Sequence, residues 1–347
     1  MVDFRYELIS ELTNNNEVVI ATPFDDKMND LLKQQIKLIE VPVDRRGINI
    51  IKDFHLLKKY IAILNEEKPD IVVTYTIKPN IYGGIACQLK RITYAANITG
   101  LGTAFQGNGI IRFVATILYR IALRKAKVVF FENSNNKEIL VSLGICQEAQ
   151  TCLLAGAGVN IDKFYYQKYP QNERFHFLFI GRVMKEKGID ELIKVTEELQ
   201  REGFNCILDV VGPCEENYKN QLKTKNDAGL LVYHGYQEDV HQFIGTADCF
   251  VLPSWHEGMA NTNLECAASG RPIITSNIPG CREALIENVS GILCEPRNEN
   301  SLHSAMKAML NKSLKEREVM GKAGRKYMEQ KFDKKVVVQT TIDELLN

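Results

Sequence analysis

The chain has 347 residues, 45% hydrophobic and 25% charged, a balance that suits two ordinary globular domains with real cores. Lys plus Arg equals Asp plus Glu at 43 each, which excludes a global basic field able to hold nucleic acid. Nine cysteines without a C-x-x-C pair argue against a disulfide framework and fit the reduced thiols of a cytoplasmic protein, and no apolar run reaches the roughly 18 residues that a spanning helix needs.

The first periodic segment, residues 4–12, reads as a helix with Leu8, Ile9 and Leu12 on one side. A doubly wound sheet ordinarily opens with a strand, so the strand belonging before this helix is expected to lie ahead of Met1. Strands are then predicted near 18–21, 36–41, 71–75, 94–98, 128–131 and 151–154. Amphipathic stretches separate them, the pattern of a parallel sheet covered by helices. TYTIKPNIYGG (74–84) and NITGLGTAFQGNG (97–109) each follow a strand. Their residues Thr76, Lys78, Asn80, Thr99 and Gly100 are expected to face a second domain and touch an acceptor or donor sugar, although ordinary strand-to-helix turns explain them as well. IIRFVATILYRIALRKAK (110–127) is an apolar helix studded with Arg112, Arg120, Arg124, Lys125 and Lys127. It reads either as a contact for an anionic membrane or as a sheet-covering helix with solvated ends.

Glycines, Pro170 and charge break all periodicity in AGAGVNIDKFYYQKYPQNER, which places the domain joint at about 157–173. The expected domains are 1–165 and 166–331, with a helical tail over 299–346 whose last part, 332–347, returns to complete the first domain. The second strand series is predicted at 175–180, 207–211, 231–234, 249–252, 272–275 and 291–294.

Two segments of this second series carry chemistry. In FHFLFIGRVMKEKGIDELIKV a strand ends at Ile180, Gly181 and Arg182 follow, and Lys185 and Lys187 precede a helix. Cations at a helix N-terminus cost roughly 0.3–1 kcal/mol each unless an anion compensates. A diphosphate supplies that anion, with Arg182 as a forked donor and Lys187 as a point charge. The plain alternative is a solvated basic loop. In CFVLPSWHEGMANTNLECAASGRP a strand ends at Leu252, a loop runs to Asn261, and a helix begins at about Thr262. The backbone of Gly258, Met259, Ala260 and Asn261 at that helix start is an anion-binding arrangement. Glu257 and Glu265 are candidate acceptors for sugar diols. Glu257 also reads as a solvated loop acid, and Glu265 as the far half of a Thr262-x-x-Glu265 capping box. His256 reads as a neighbour of the site, not a catalyst. No metal is indicated, since there is neither a D-x-D nor a histidine pair at i, i+4.

PSWHEGMANTNLECAASGRPIITSNIPGCREAL, with two glutamates separated by seven residues, and FIGRVMKEKGIDEL resemble the signature segments of glycosyltransferase family 4, especially its capsular and O-antigen enzymes that extend lipid-linked sugars. AGAGVNIDKF, YHGYQEDV and SGILCEP stand in the same order. The resemblance implies a GT-B fold: two Rossmann-like, doubly wound parallel-sheet domains facing a cleft, the first lacking its opening strand and glycine-rich loop here. It implies a retaining hexosyl- or N-acetylhexosaminyltransferase without a cofactor, moving a sugar from a nucleotide donor, UDP-linked, to a polyprenyl-diphosphate-linked saccharide at the inner face of the cell membrane. Arg182 and Lys187 would bind the diphosphate, Glu265 the ribose and Glu257 the sugar hydroxyls. Many relatives carry a histidine after the strand at 94–98, where this chain has Thr99-Gly100-Leu101-Gly102, so no histidine base is assigned. A non-catalytic, N-terminally shortened binder of nucleotide sugar or of a partner protein is the alternative reading.

Overall fold

The computed structural model describes residues 2–24, 36–43, 49–102, 105, 109–214 and 218–346. Two compact units divide the chain, Met1–Ala157 with Lys335–Asn347, and Gly158–Lys334. Residues 158–165, expected in the first domain, lie in the second unit. There Val159 donates to the Phe332 carbonyl and receives from the Lys334 amide (2.8 and 3.0 Å), and a Cβ on Gly158 would meet the Lys334 Cα at 2.7 Å.

The first unit opens on α1 (Val2–Thr13), followed by β1 (Val19–Thr22) and β2 (Lys37–Glu40), which pair in parallel. Then come α2 (Ile50–Glu67), β3 (Ile71–Tyr75), a π-turn (Pro79–Gly83) leading into α3 (Gly84–Lys90), β4 (Thr93–Ile98), α4 (Ile110–Leu123), β5 (Val128–Phe131), α5 (Ser134–Ser142) and β6 (Thr151–Leu153). β3, β4, β5 and β6 form a parallel sheet in that order, and among the described residues β1 and β2 form a sheet of their own. Asn49 caps α2 by accepting from the amides of Ile51 and Lys52. Arg5 anchors α1: its guanidinium meets Glu132 at 2.5 Å in a nearly sealed pair and lies over the Tyr75 ring.

Side chains alternate along β4 and β5, so each strand feeds two cores. Tyr94, Ala96, Ile98, Val129 and Phe131 pack under α3 and α4 with Tyr119, Leu123 and Leu140. Ala95, Val128 and Phe130 pack on the other side with Val337 and Leu345. Those last two residues belong to α12 (Lys334–Leu346), the end of the chain.

In the second unit the elements are β7 (Phe175–Ile180), α6 (Ile189–Arg201), β8 (Cys206–Val211), α7 (Tyr218–Asp227), β9 (Leu231–Gly235), α8 (His241–Thr246), β10 (Cys249–Leu252), α9 (Asn261–Ala268), β11 (Ile273–Ser276), β12 (Gly291–Cys294), α10 (Glu299–Leu310) and α11 (Leu314–Lys331). Six parallel strands run in the order β12-β11-β10-β7-β8-β9. Arg271 locks the back of this sheet. It is fully buried, and its guanidinium donates to the carbonyls of Ile244, Gln167, Gly270, Lys168 and Gly245. All nine cysteines are unpaired, seven of them buried.

Three adjacent strands also share a polar cluster. Asp209 on β8 lies 2.7 Å from His176 Nδ1 on β7 and 2.7 Å from His234 Nε2 on β9. The hydrogen bond to Asp209 raises the His176 pKa despite burial. Burial alone would raise Asp209, but its bonds to both histidines bring it below the ordinary carboxylate value. Stability from a raised histidine is present below the unfolded imidazole pKa and lost as pH climbs through the folded value; that from a lowered carboxylate is present above the unfolded carboxylate pKa and lost on acidification. The cluster is therefore at full strength at roughly pH 4–6.5. Urea unfolding of His176→Gln should show a deficit of about 1 kcal/mol at pH 5.5 that shrinks by pH 8.5, the ordinary net worth of one such bond. An equal deficit at both pH values would mean that the imidazole acts by packing alone.

Candidate functional site

Strands β7 and β10 pair directly, Cys249 opposite Phe177 and Phe250 opposite Leu178. On one side of this junction the chain winds outward through β8 and β9; on the other it winds through β10, β11 and β12. The winding reverses there, and at such a switch point the loops leaving the two strands part and open a crevice beyond the carboxyl ends. Those loops are the two segments singled out in the sequence.

After β7 come half-buried Gly181 and exposed Arg182, then a 3-10 turn over Lys185–Lys187 that ends in Gly188 at φ 71°. Gly188 has to be glycine for a second reason, since a Cβ there would fall 2.2 Å from the Pro253 carbonyl oxygen. The loop after β10 runs against this turn, and the Trp255 amide donates to the Glu186 carbonyl at 2.9 Å. Its indole donates to Glu191 at 3.0 Å and lies under the Arg297 guanidinium, 4.3 Å from the ring centre. Lys187 forms an ion pair with Glu257, their side chains only 18% and 12% exposed, and the Ser254 hydroxyl donates to the same carboxylate oxygen at 2.8 Å. The compensating anion expected for the lysines before α6 is thus present within the protein, and it is Glu257.

Glu257 is held in this network, not left as a free loop acid. Gly258 is half-buried. Met259 and Ala260 are 8% and 3% exposed, so neither offers its side chain to solvent. Helix α9 begins at Asn261, one residue before the expected start, with Ala260 as its N-cap and no side-chain cap. Thr262 therefore sits inside the first turn, and the Thr262–Glu265 capping box does not form. Half-buried Glu265 needs another explanation than capping. Asn261 Oδ1 is enclosed and has no hydrogen-bond partner among the described residues. An unsatisfied acceptor beside an uncapped helix start is a place for a ligand donor.

Sequence reasoning overlooked Ser254, wholly buried behind Glu257, and Gly280. The Ala260 amide donates to the Gly280 carbonyl at 2.7 Å, and Gly280 has φ 84° with its Cα so close that a Cβ would lie 2.4 Å from the Gly258 oxygen. The signal was the Pro279-Gly280 dipeptide, a turn marker whose packing partner no local pattern reveals.

In the first unit, Thr76 is exposed and adopts φ 69°, a conformation uncommon for a non-glycine residue. Lys78 is paired with Asp53 at 2.8 Å. Asn80 is 1% exposed, and its amide donates to the Asn97 carbonyl at 2.9 Å, so it braces the turn after β3 and does not face solvent. Thr99 and Gly100 are half-buried. Among the described residues no three His, Cys, Asp or Glu side chains converge as ligands for a metal ion.

Residues 162–327 match the family profile described as glycosyl transferases group 1, and residues 3–133 match that described as glycosyl transferase 4-like. The chain is 28% identical over 328 residues to the N,N'-diacetylbacillosaminyl-diphospho-undecaprenol alpha-1,3-N-acetylgalactosaminyltransferase of Campylobacter jejuni, covering 88% of this chain and 85% of that one. It is 27% identical to the capsular polysaccharide biosynthesis glycosyltransferase CapM of Staphylococcus aureus, over 84% of this chain and 80% of the relative. Among solved structures, Anabaena Alr3699/HepE in complex with UDP superposes with a TM-score of 0.78 at 15% identity, covering 99% of this chain and 95% of that one.

Gly280→Ala should cost more than about 1 kcal/mol of stability, from the positive φ and the collision with Gly258 together, whereas Gly229→Ala, also at positive φ but facing open space, should cost only the backbone part. Trp255 is the only tryptophan, so its emission reports on this loop. A shifted Trp255 spectrum in folded Gly280→Ala and an unchanged one in Gly229→Ala is the expected result.

Proposed function

This chain belongs to the GT-B glycosyltransferases of family 4, and we propose that it moves a hexosyl or N-acetylhexosaminyl unit from a UDP-sugar to a lipid-diphosphate-linked saccharide during surface polysaccharide synthesis. Acceptors of that class lie in a membrane, which makes the protein a peripheral, cytoplasmic-face enzyme. The observation that carries the donor reading is the Lys187–Glu257 pair, which ties the loop leaving β7, with Arg182 on it, to the loop that leads from β10 into the uncapped start of α9 at the switch point of the second sheet. The names of two relatives, one a diphospho-undecaprenol-linked sugar transferase and one a glycosyltransferase of capsular polysaccharide biosynthesis, support the acceptor class. The UDP held by a structural neighbour supports the nucleotide.

In this reading the donor diphosphate takes Arg182 as a forked donor and Lys187 as a second cation. Gly258, Met259 and Asn261 add backbone amides, that of Ala260 being held by the Gly280 carbonyl, and the Asn261 carboxamide oxygen accepts from the donor. Glu265 accepts from the ribose diol, and Glu257, freed to share Lys187, accepts from hydroxyls of the transferred sugar. Bond breaking between the sugar's anomeric carbon and the phosphate oxygen leaves negative charge on the diphosphate, where the two fixed cations already stand, so most of the acceleration is electrostatic. The acceptor hydroxyl attacks from the face the diphosphate leaves, and its proton passes to the departing phosphate oxygen. The configuration at the anomeric carbon is retained. On the first unit, Thr76, Thr99 and Gly100 are the proposed acceptor contacts, with Lys78 available once it leaves Asp53.

Calorimetric titration of the purified chain with UDP should give measurable affinity. Arg182→Ala should weaken it by roughly 1.5–3 kcal/mol, the worth of a charge-assisted bond. Glu265→Gln should weaken it while leaving the unfolding midpoint unchanged. No affinity of the native chain for UDP or any other nucleoside diphosphate would overturn the donor reading; UDP binding without release of UDP from any UDP-sugar in the presence of lipid-linked acceptors would favour the non-catalytic alternative.

A further inference from the structure

Helix α4 is apolar on both of its sides. Tyr119, Ala122 and Leu123 are wholly buried in the first core. On the outside Ile110 is 81% exposed, Phe113 66%, Val114 41%, Ile117 38% and Ile121 49%. Steps of three and four residues make these one continuous stripe down the helix. Single exposed apolar residues are normal, but a stripe of large ones marks an interaction surface. On α2, Ile50, Ile51 and Phe54 of the first turns are likewise 82%, 71% and 53% exposed. α2 leads back to the start of β3 and α4 to the start of β5, and both pack into the same core, so both N-termini lie at the carboxyl edge of the sheet on one side of it.

The charge around this stripe is one-sided. From Ile71 to Phe131 the sequence contains no Asp or Glu and eight Lys or Arg, in a protein whose totals are equal. Arg120, Arg124, Lys125 and Lys127 are exposed at the carboxyl end of α4. Lys90 and Arg91 are exposed at the end of α3, which Gln88 ties to α4 by donating to the carbonyls of Ile121 and Ala122 at 2.6 and 3.0 Å. Arg120 donates to the carbonyls of Leu143 and Gly144, and Lys127 to that of Leu345, so these hydrogen bonds leave the charges in place.

We propose that the outer face of α4, together with the first turn of α2, seats this protein on an anionic lipid surface. The apolar stripe enters the boundary between headgroups and acyl chains, and the cations at the ends of α4 and α3 meet the lipid phosphates. At 14 residues α4 is too short to cross a bilayer, which takes about 20, so it lies in the plane of the interface. A second copy of the chain is disfavoured as the occupant, because two-fold pairing of this face would set like charges against each other. The inference deepens the lipid-linked acceptor reading and rests on it for its purpose, but the surface is tested independently of transfer.

The full chain should float with vesicles of equal parts phosphatidylcholine and phosphatidylglycerol, less so as salt rises, and not with phosphatidylcholine alone. The double variant Phe113→Glu, Ile117→Glu should reduce flotation by at least about tenfold. Charge reversal at Arg124 and Lys125 should reduce it by roughly tenfold and flatten the salt dependence. Both variants should keep the unfolding midpoint and the UDP affinity of the native chain. Undiminished flotation of the double variant overturns the proposal, as does a lipid-free dimer, seen by light scattering, that the same substitutions dissolve. Native flotation without UDP affinity would leave this surface standing and remove the donor site; UDP affinity without flotation would do the reverse.

Discussion

One ion pair ties the second unit's site together. Lys187 and Glu257 are 70 residues apart in sequence and stand on the loops that leave β7 and β10, the two strands between which the winding of the sheet reverses. An exposed pair of this kind contributes little, but these side chains are mostly buried and a serine hydroxyl supports the carboxylate. Removing either charge would leave the other stranded. The pair also sets the electrostatic state of the crevice. Lysines in front of α6 call for an anion, and Glu257 supplies it; in the proposed donor site an incoming diphosphate would share Lys187 with a carboxylate already in place.

Such a pair is precise only if both loops are rigid, and here backbone packs on backbone. Gly188 fits against Pro253, Gly280 against Gly258, and Gly212 against Gly181, each at a separation where a β-carbon would strike a carbonyl oxygen. Trp255 adds a side-chain clamp from the outside, held by Glu191 and covered by Arg297. Behind the sheet, Arg271 satisfies five carbonyls with one guanidinium, which stops the ends of α8 and α9 and the segment entering β7 from shifting independently. Both loops are therefore held by the protein's own packing, which is what the proposed electrostatic stabilisation of a developing charge would demand.

The period of the hydrophobic pattern made the strands legible. β7 and β10 fall at the expected residues, and β11 lies within one residue of the predicted edges, because strands buried on both faces are short unbroken apolar runs bounded by glycine and polar residues. What stayed hidden was decided by packing. The Thr262-x-x-Glu265 pattern satisfied the local rule for a capping box, yet the Ala260 amide bonds the Gly280 carbonyl, the helix begins one residue earlier, and the threonine loses its place. Ser254 and Gly280 owe their roles to residues that sequence spacing does not connect with them. Asn80, read as a contact for sugars, turned inward because its amide completes the end of β4. The domain joint falls at the start of the expected 157–173 stretch for the same reason: Gly158 and Val159 are held by the returning chain at Phe332 and Lys334, a partner far away in sequence.

Two helices show why overall neutrality misleads. α6 carries its apolar residues on one face, and Ile189, Leu192, Ile193, Val195 and Leu199 are all buried there, leaving a charged side to water. α4 has enough apolar residues for two faces, yet its unit buries only one of them. A helix that is apolar all round is stable in the interior of a protein or in contact with a second apolar phase, and the second face of α4 has no protein over it among the described residues. Counting charges over the whole chain cancels the cations of residues 71–131 against acids located elsewhere, and so hides a surface that is both greasy and positive. Composition can exclude a field that covers the molecule, but it says nothing about a field confined to one helix and its neighbours, and at a Debye length of about 8 Å in physiological salt it is the local field that a partner meets.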